Sequence, residues 1–227
     1  MIPWTVLGIA DIPNNGGELK LMQRGEEFSI RLSGVRGELM NNRIHNSEEE
    51  LAGLGCAHLG DTDAAQVLVG GLGMGFTLAA ALKAVNFAST VTVAELIPEV
   101  VEWNRGPLGD SAGQPLLDSR AKVYQGDVAT LLTAEQPMYD AILLDVDNGP
   151  EGITHADNNW LYSQAGLESI HTTLRPEGML AIWSAGADPL FVIRLKKAKF
   201  NVTVRTVRAR VGKGSRHTIF LAKKPWR

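Results

Sequence analysis

Apolar and polar residues alternate early in the chain: Leu19 and Leu21, then Phe28, Ile30 and Leu32, on either side of Gln23-Arg24-Gly25-Glu26. A period of two flanking a glycine-containing turn predicts a half-buried β-hairpin. Ser47 and Glu50 then stand three apart, the capping-box spacing, and predict a helix from there to about Leu59. From Val67 onwards short apolar runs alternate with helix-like stretches. Val67–Val69, Thr90–Ala94, Ala121–Tyr124, Ala141–Leu144 and Met179–Trp183 read as strands, with Pro98 and Pro189 placed where a first helical turn tolerates a missing N–H. Short right-handed crossovers place these strands in one mostly parallel sheet. The end differs, because two alternating runs, 202–208 and 217–222, flank Gly212-Lys213-Gly214 and predict a closing antiparallel hairpin. The division that follows is a β-hairpin subdomain over residues 1–46 and an α/β domain over 47–227.

The first of these strands runs into Gly70-Gly71-Leu72-Gly73-Met74-Gly75, and the next ends on Glu95, about twenty residues on. Such a turn brings backbone N–H groups close to a ligand, and an acid at the following strand end accepts hydrogen bonds from ribose hydroxyls. Together they predict a Rossmann-like nucleoside site containing Gly71, Gly73, Gly75 and Glu95; the turn alone would also serve as a tight strand-to-helix connection. A dinucleotide fingerprint needs a third glycine one place later, where Phe76 stands, so a pyrophosphate is disfavoured. The Gly-x-Gly-x-Gly spacing resembles that of adenosylmethionine-dependent transferases. Acids recur at the ends of later strands: Asp127 after the third, Asp145 and Asp147 after the fourth. Asp127 suits the adenine amino group as an acceptor, or else caps the helix starting near Val128. Asp145 is the candidate base, with capping of the next turn as its alternative role.

Composition narrows the class. A 227-residue chain of net charge −3 has no basic stripe for nucleic acid or a membrane surface. With no basic-then-apolar start and no uncharged run of about 18 residues, a cytoplasmic protein is expected. Cys56, the single cysteine, precludes an internal disulfide.

The segment Tyr139 to Pro150, which contains Asp145-Val146-Asp147-Asn148-Gly149-Pro150, joins the glycine turn, Glu95, Gly126-Asp127, Leu161-Tyr162 and Leu174-Arg175-Pro176-Glu177-Gly178. Over roughly residues 17 to 224 this set resembles the spermidine synthase family of aminopropyltransferases. The resemblance implies a methyltransferase-like Rossmann fold, decarboxylated adenosylmethionine as donor, a polyamine acceptor and a homodimer. It places the catalytic aspartate on Asp145, the ribose acid on Glu95 and the adenine acid on Asp127. Asp147 and Asn148 fall on the acceptor-binding segment, and Tyr162 with Trp160 either wall the acceptor pocket or, more commonly for aromatic residues, belong to the core.

Two departures weaken the diamine assignment. Gly73 stands where members that make spermidine carry an aspartate for the donor's propylamine, and Asn148 stands where they carry an acceptor-binding acid. Each lost acid removes a charge-assisted bond to an ammonium. On Gly73, intact adenosylmethionine and methyl transfer to a small-molecule acceptor are favoured, since free turn N–H groups suit a carboxylate. Aminopropyl transfer is the alternative; a non-catalytic nucleoside-binding module and a nicotinamide-dependent oxidoreductase rank lower. Asp145-x-Asp147 also resembles the cation-binding segment of catechol-type O-methyltransferases. Their partner acid–amide pair is replaced by Ser184-Ala185, so no catalytic metal is expected. Arg205, Arg208, Arg210, Lys213, Arg216 and His217 cluster near the terminal hairpin, either for an anion or, more commonly, as a solvated edge strand. His45, His58, His155 and His171 have no ligand spacing.

Overall fold

The computed structural model describes residues 2–14, 16–34, 38–60, 62–146 and 160–226. Four strands, β1 (Thr5–Ile12), β2 (Gly17–Arg24), β3 (Glu27–Leu32) and β4 (Met40–Asn41), form a small antiparallel sheet in sequence order. The expected hairpin is β2–β3, with Arg24 opposite Glu27 across a two-residue turn. The sheet is larger than the hairpin because β1 adds to one side, bulged between Val6 and Gly8, and β4 to the other.

Helix α1 (Asn46–Cys56) leads to β5 (Gln66–Gly70), α2 (Phe76–Ala84), β6 (Thr90–Glu95), α3 (Pro98–Arg105), β7 (Ala121–Gln125) and α4 (Val128–Leu131). After these come β8 (Tyr139–Leu144), α5 (Gln164–Thr173), β9 (Leu174–Ser184), α6 (Pro189–Lys197), β10 (Asn201–Arg210) and β11 (Lys213–Lys223). The seven-stranded sheet has the order β10-β11-β9-β8-β5-β6-β7. β5 to β9 pair in parallel, and β10 and β11 close the edge antiparallel, so the α/β Rossmann-like architecture is as expected.

Helix α1 departs from the capping-box expectation. Its N-cap is His45 with no side-chain cap bond, it ends at Cys56, and Ser47 Oγ donates to Glu48 Oε2 (2.6 Å). The His45 ring stacks on Phe76 at 4.2 Å and fixes the entry instead, while the His45 carbonyl accepts from Glu48 and Glu49 N–H. The other helix starts follow local chemistry: Ser163 accepts from Gly166 N–H, Asp188 from Phe191 N–H, and Pro189 and Pro98 occupy first-turn positions.

One cluster of buried side chains joins the small sheet to one face of the large one, through Ile12, Leu19, Leu21 and Ile30 against Leu51, Leu72 and Val100. The opposite face packs α5 and α6 through Leu167, Ile170, Phe191 and Leu195. Strand order reverses between β5 and β8, which opens a crevice at their carboxyl ends. No described helix is long and apolar enough to cross a membrane.

Candidate active site

At that crevice lies a cavity of about 240 Å³. The glycine turn, the ends of β6 and β8, the start of α1 and the inner face of the small sheet wall it. Gly71, Gly73 and Gly75 have φ of +89°, +52° and +85°, the left-handed region that favours glycine. At Gly71 the need is doubled, because a Cβ there would lie 2.5 Å from the Asp145 carbonyl oxygen. Asn104 Nδ2 donates to the Gly73 carbonyl (2.8 Å) and holds the turn from α3.

Glu95 is buried behind the turn. Its carboxylate accepts from Leu72 N–H and Ile97 N–H, both at 2.9 Å, so it ties the glycine turn to the start of α3. Burial pushes its pKa up, and the surrounding backbone N–H groups pull the other way. Gly71 N–H donates to the Ala94 carbonyl and Gly75 N–H to the Leu72 carbonyl. Turn N–H groups were expected to be free for a donor carboxylate, but those of Gly71, Leu72 and Gly75 are already bonded. Asp127 caps α4 by accepting from Ala129 N–H (2.8 Å) and also lines the cavity; its two readings are compatible.

Asp145 follows β8 directly, its N–H donating to the Gly70 carbonyl (2.9 Å). Thr77 Oγ1 donates to its Oδ2 (2.6 Å). Burial pushes the Asp145 pKa up, and the Thr77 hydroxyl opposes this. Glu48, in the first turn of α1, faces the same cavity. Burial, followed by the negative charge of Asp145, pushes its pKa up to about 7.

Tyr162 is not among the residues lining this cavity. Its ring is buried against Phe191, and its hydroxyl donates to the Val146 carbonyl (3.1 Å), bracing the segment that carries Asp145. Asp147, Asn148 and His155 lie outside the described residues. Trp160 does not line the described cavity either; its carbonyl accepts from the Ser163 hydroxyl. Arg205, Arg208, Lys213 and Arg216 are exposed on the edge hairpin. His217 packs its ring against Trp183. Among the described residues no three His, Cys, Asp or Glu side chains group as for a metal ion.

The sequence reading missed Glu48, Thr77, Met40 and Trp183, all of which line the cavity. Trp183 had a signal, since it stands near the carboxyl end of a strand. Glu48 and Thr77 carried none beyond lying at helix starts.

Searching the curated proteins finds none that matches this chain. Among solved structures, a spermidine synthase in complex with the transition state analogue AdoDATO superposes with a TM-score of 0.73. It is 17% identical, and the alignment covers 98% of this chain and 73% of that one. Spermidine synthase from Thermotoga maritima gives 0.73 at 16% identity with the same coverage. A probable spermidine synthase from Corynebacterium glutamicum gives 0.65 at 18%, covering 97% and 80%. These likenesses establish the fold. The family model of the spermine/spermidine synthase domain matches residues 46–191, well over half of the chain. The chain therefore belongs to the spermine/spermidine synthase family, whose members are transferases.

Proposed function

We propose that the chain transfers an aminopropyl group from decarboxylated adenosylmethionine to a primary amine. The observation that carries this reading is the charge of the cavity: its described wall holds Glu48, Glu95, Asp127 and Asp145 and no Lys, Arg or His. Intact adenosylmethionine would bring a carboxylate among these acids, with the Gly71, Leu72 and Gly75 N–H groups of the turn already bonded. The decarboxylated donor brings only positive charge, which acids favour. The expectation of methyl transfer rested on turn N–H groups being free, and family membership supports the alternative instead.

In this reading the ribose hydroxyls donate to the remaining lone pairs of Glu95, and the adenine amino group to Asp127 Oδ2, the oxygen not used for capping. The acceptor amine attacks the methylene carbon bonded to the sulfonium. The C–N bond forms as the C–S bond breaks, the electron pair goes to sulfur, and methylthioadenosine leaves. Asp145 takes the amine proton, and its raised pKa makes it a better base than an ordinary carboxylate. Tyr162 supports the Asp145 segment, while Asp147 and Asn148 belong to the acceptor side by resemblance. We also read the chain as a homodimer on that resemblance, which native mass would test, and as cytoplasmic on its composition. Calorimetric titration with both donors tests the main reading: tighter binding of the decarboxylated donor is expected, and tighter binding of intact adenosylmethionine would refute it.

A further inference from the structure

Four carboxylates line one cavity, yet they are not equivalent. Glu95 is committed to the backbone of the turn, and Asp127 caps α4. Glu48 and Asp145 are each met by one neighbouring hydroxyl, from Ser47 and Thr77. The ion pairs among the described residues involve neither. Two acids that share this cavity without a counter-ion repel each other: the Glu48 pKa is raised first by burial and then by the charge of Asp145. A bound cation would relieve both.

The surroundings decide which kind of cation. A hard divalent ion needs about six oxygen ligands, whereas the wall around these acids is largely apolar: Ile12, Leu19, Ile30, Met40 and Phe76, with Trp183 as an aromatic side. Methylenes ending in a charged nitrogen fit such a lining, and indole rings favour cations. The turn itself offers no acid. A Cβ at Gly73 would meet Met40 Sδ at 3.1 Å, so the thioether fills the space a longer side chain would need.

We infer that Glu48 and Asp145 jointly seat a primary alkylammonium, and that Glu48 is a specificity-determining residue that supplies a carboxylate the glycine turn lacks. The inference rests on the aminopropyl-transfer reading. The ammonium belongs either to the donor's aminopropyl end or to the acceptor amine.

Calorimetry on wild type, Glu48→Gln and the exposed control Glu50→Gln tests it with three probes: decarboxylated adenosylmethionine, methylthioadenosine, and putrescine added to the methylthioadenosine complex. Methylthioadenosine carries the nucleoside without an ammonium. Glu48→Gln is expected to weaken the decarboxylated donor or putrescine by about tenfold or more, as for loss of a charge-assisted bond. It should leave methylthioadenosine unchanged, and Glu50→Gln should change nothing. A loss confined to the donor assigns the ammonium to the aminopropyl end; a loss confined to putrescine assigns it to the acceptor. If Glu48→Gln binds all three as wild type does, or loses methylthioadenosine equally, the inference is overturned while the proposed function stands. If wild type binds neither nucleoside, the functional reading fails and the inference with it.

Discussion

Replacing Glu48 by glutamine should stabilise the free protein at alkaline pH and progressively less as pH falls towards 4.5. The Glu48 pKa is pushed from the ordinary 4.5 up to about 7. Each pH unit of displacement corresponds to about 1.4 kcal/mol, so keeping this carboxylate charged costs the folded state at most about 3 kcal/mol. Glu48 is only partly buried, and water reaching it lowers the expected cost to about 1–3 kcal/mol. An acid whose pKa is raised on folding binds its proton more tightly in the folded state. Its contribution is therefore fully present below pH 4.5 and lost as pH climbs through 7. Glutamine keeps the size and an oxygen for the Ser47 hydroxyl but removes the charge. At about 2–4 °C per kcal/mol for a chain of this length, Tm should rise by roughly 2–12 °C at pH 8. The assay is denaturation of both proteins at pH 5 and pH 8, read as the difference between them so that His58, His171 and His217, which both share, cancel. Asp145→Asn should give an overlapping gain, and the double variant less than the sum, because one repulsion is removed twice. A glutamine variant no more stable at pH 8, or equally stabilised at pH 5, would refute the picture of two acids without a counter-ion.

Asp145→Asn should lower turnover by about 10²-fold or more while methylthioadenosine affinity is kept, as expected for loss of a positioned base; steady-state kinetics with calorimetry checks both. Gly71→Ala should lose roughly 1–3 kcal/mol of stability in urea titration, because φ there is +89° and the added carbon meets the Asp145 carbonyl. Asp127→Ala should cost about 1 kcal/mol through the lost cap of α4, and additionally weaken methylthioadenosine. A thermal shift without an affinity change would confine Asp127 to capping.

Period and punctuation made the sheet legible. Short apolar runs led to β5, β6 and β8 within a residue or two, because parallel strands buried on both faces leave such runs, whereas β9 begins five residues before the expected Met179 and β7, at the sheet edge, is only partly buried. Strand β1 was missed: its apolar residues Val6, Leu7 and Ile9 are exposed, so they do not alternate with the core. The capping box misled because Ser47 and Glu50 satisfy a spacing, whereas the helix entry is set by His45 stacking on Phe76, thirty-one positions away in sequence. Tyr162 was read as a possible pocket wall, yet it is core by the ordinary fate of aromatic residues. Glu48 could not be read from the sequence. Its meaning comes from α1 packing beside α2, which sets it in the cavity that Asp145 enters from the end of β8.

The protein's defining chemistry is the group it transfers. Incubating the purified protein with a diamine and each donor in turn, followed by mass analysis of the nucleoside product, tests it most directly. Aminopropyl transfer gives methylthioadenosine and an aminopropylated amine from decarboxylated adenosylmethionine, and no adenosylhomocysteine from the intact donor. Adenosylhomocysteine formed with intact adenosylmethionine, without methylthioadenosine from the decarboxylated donor, would contradict it.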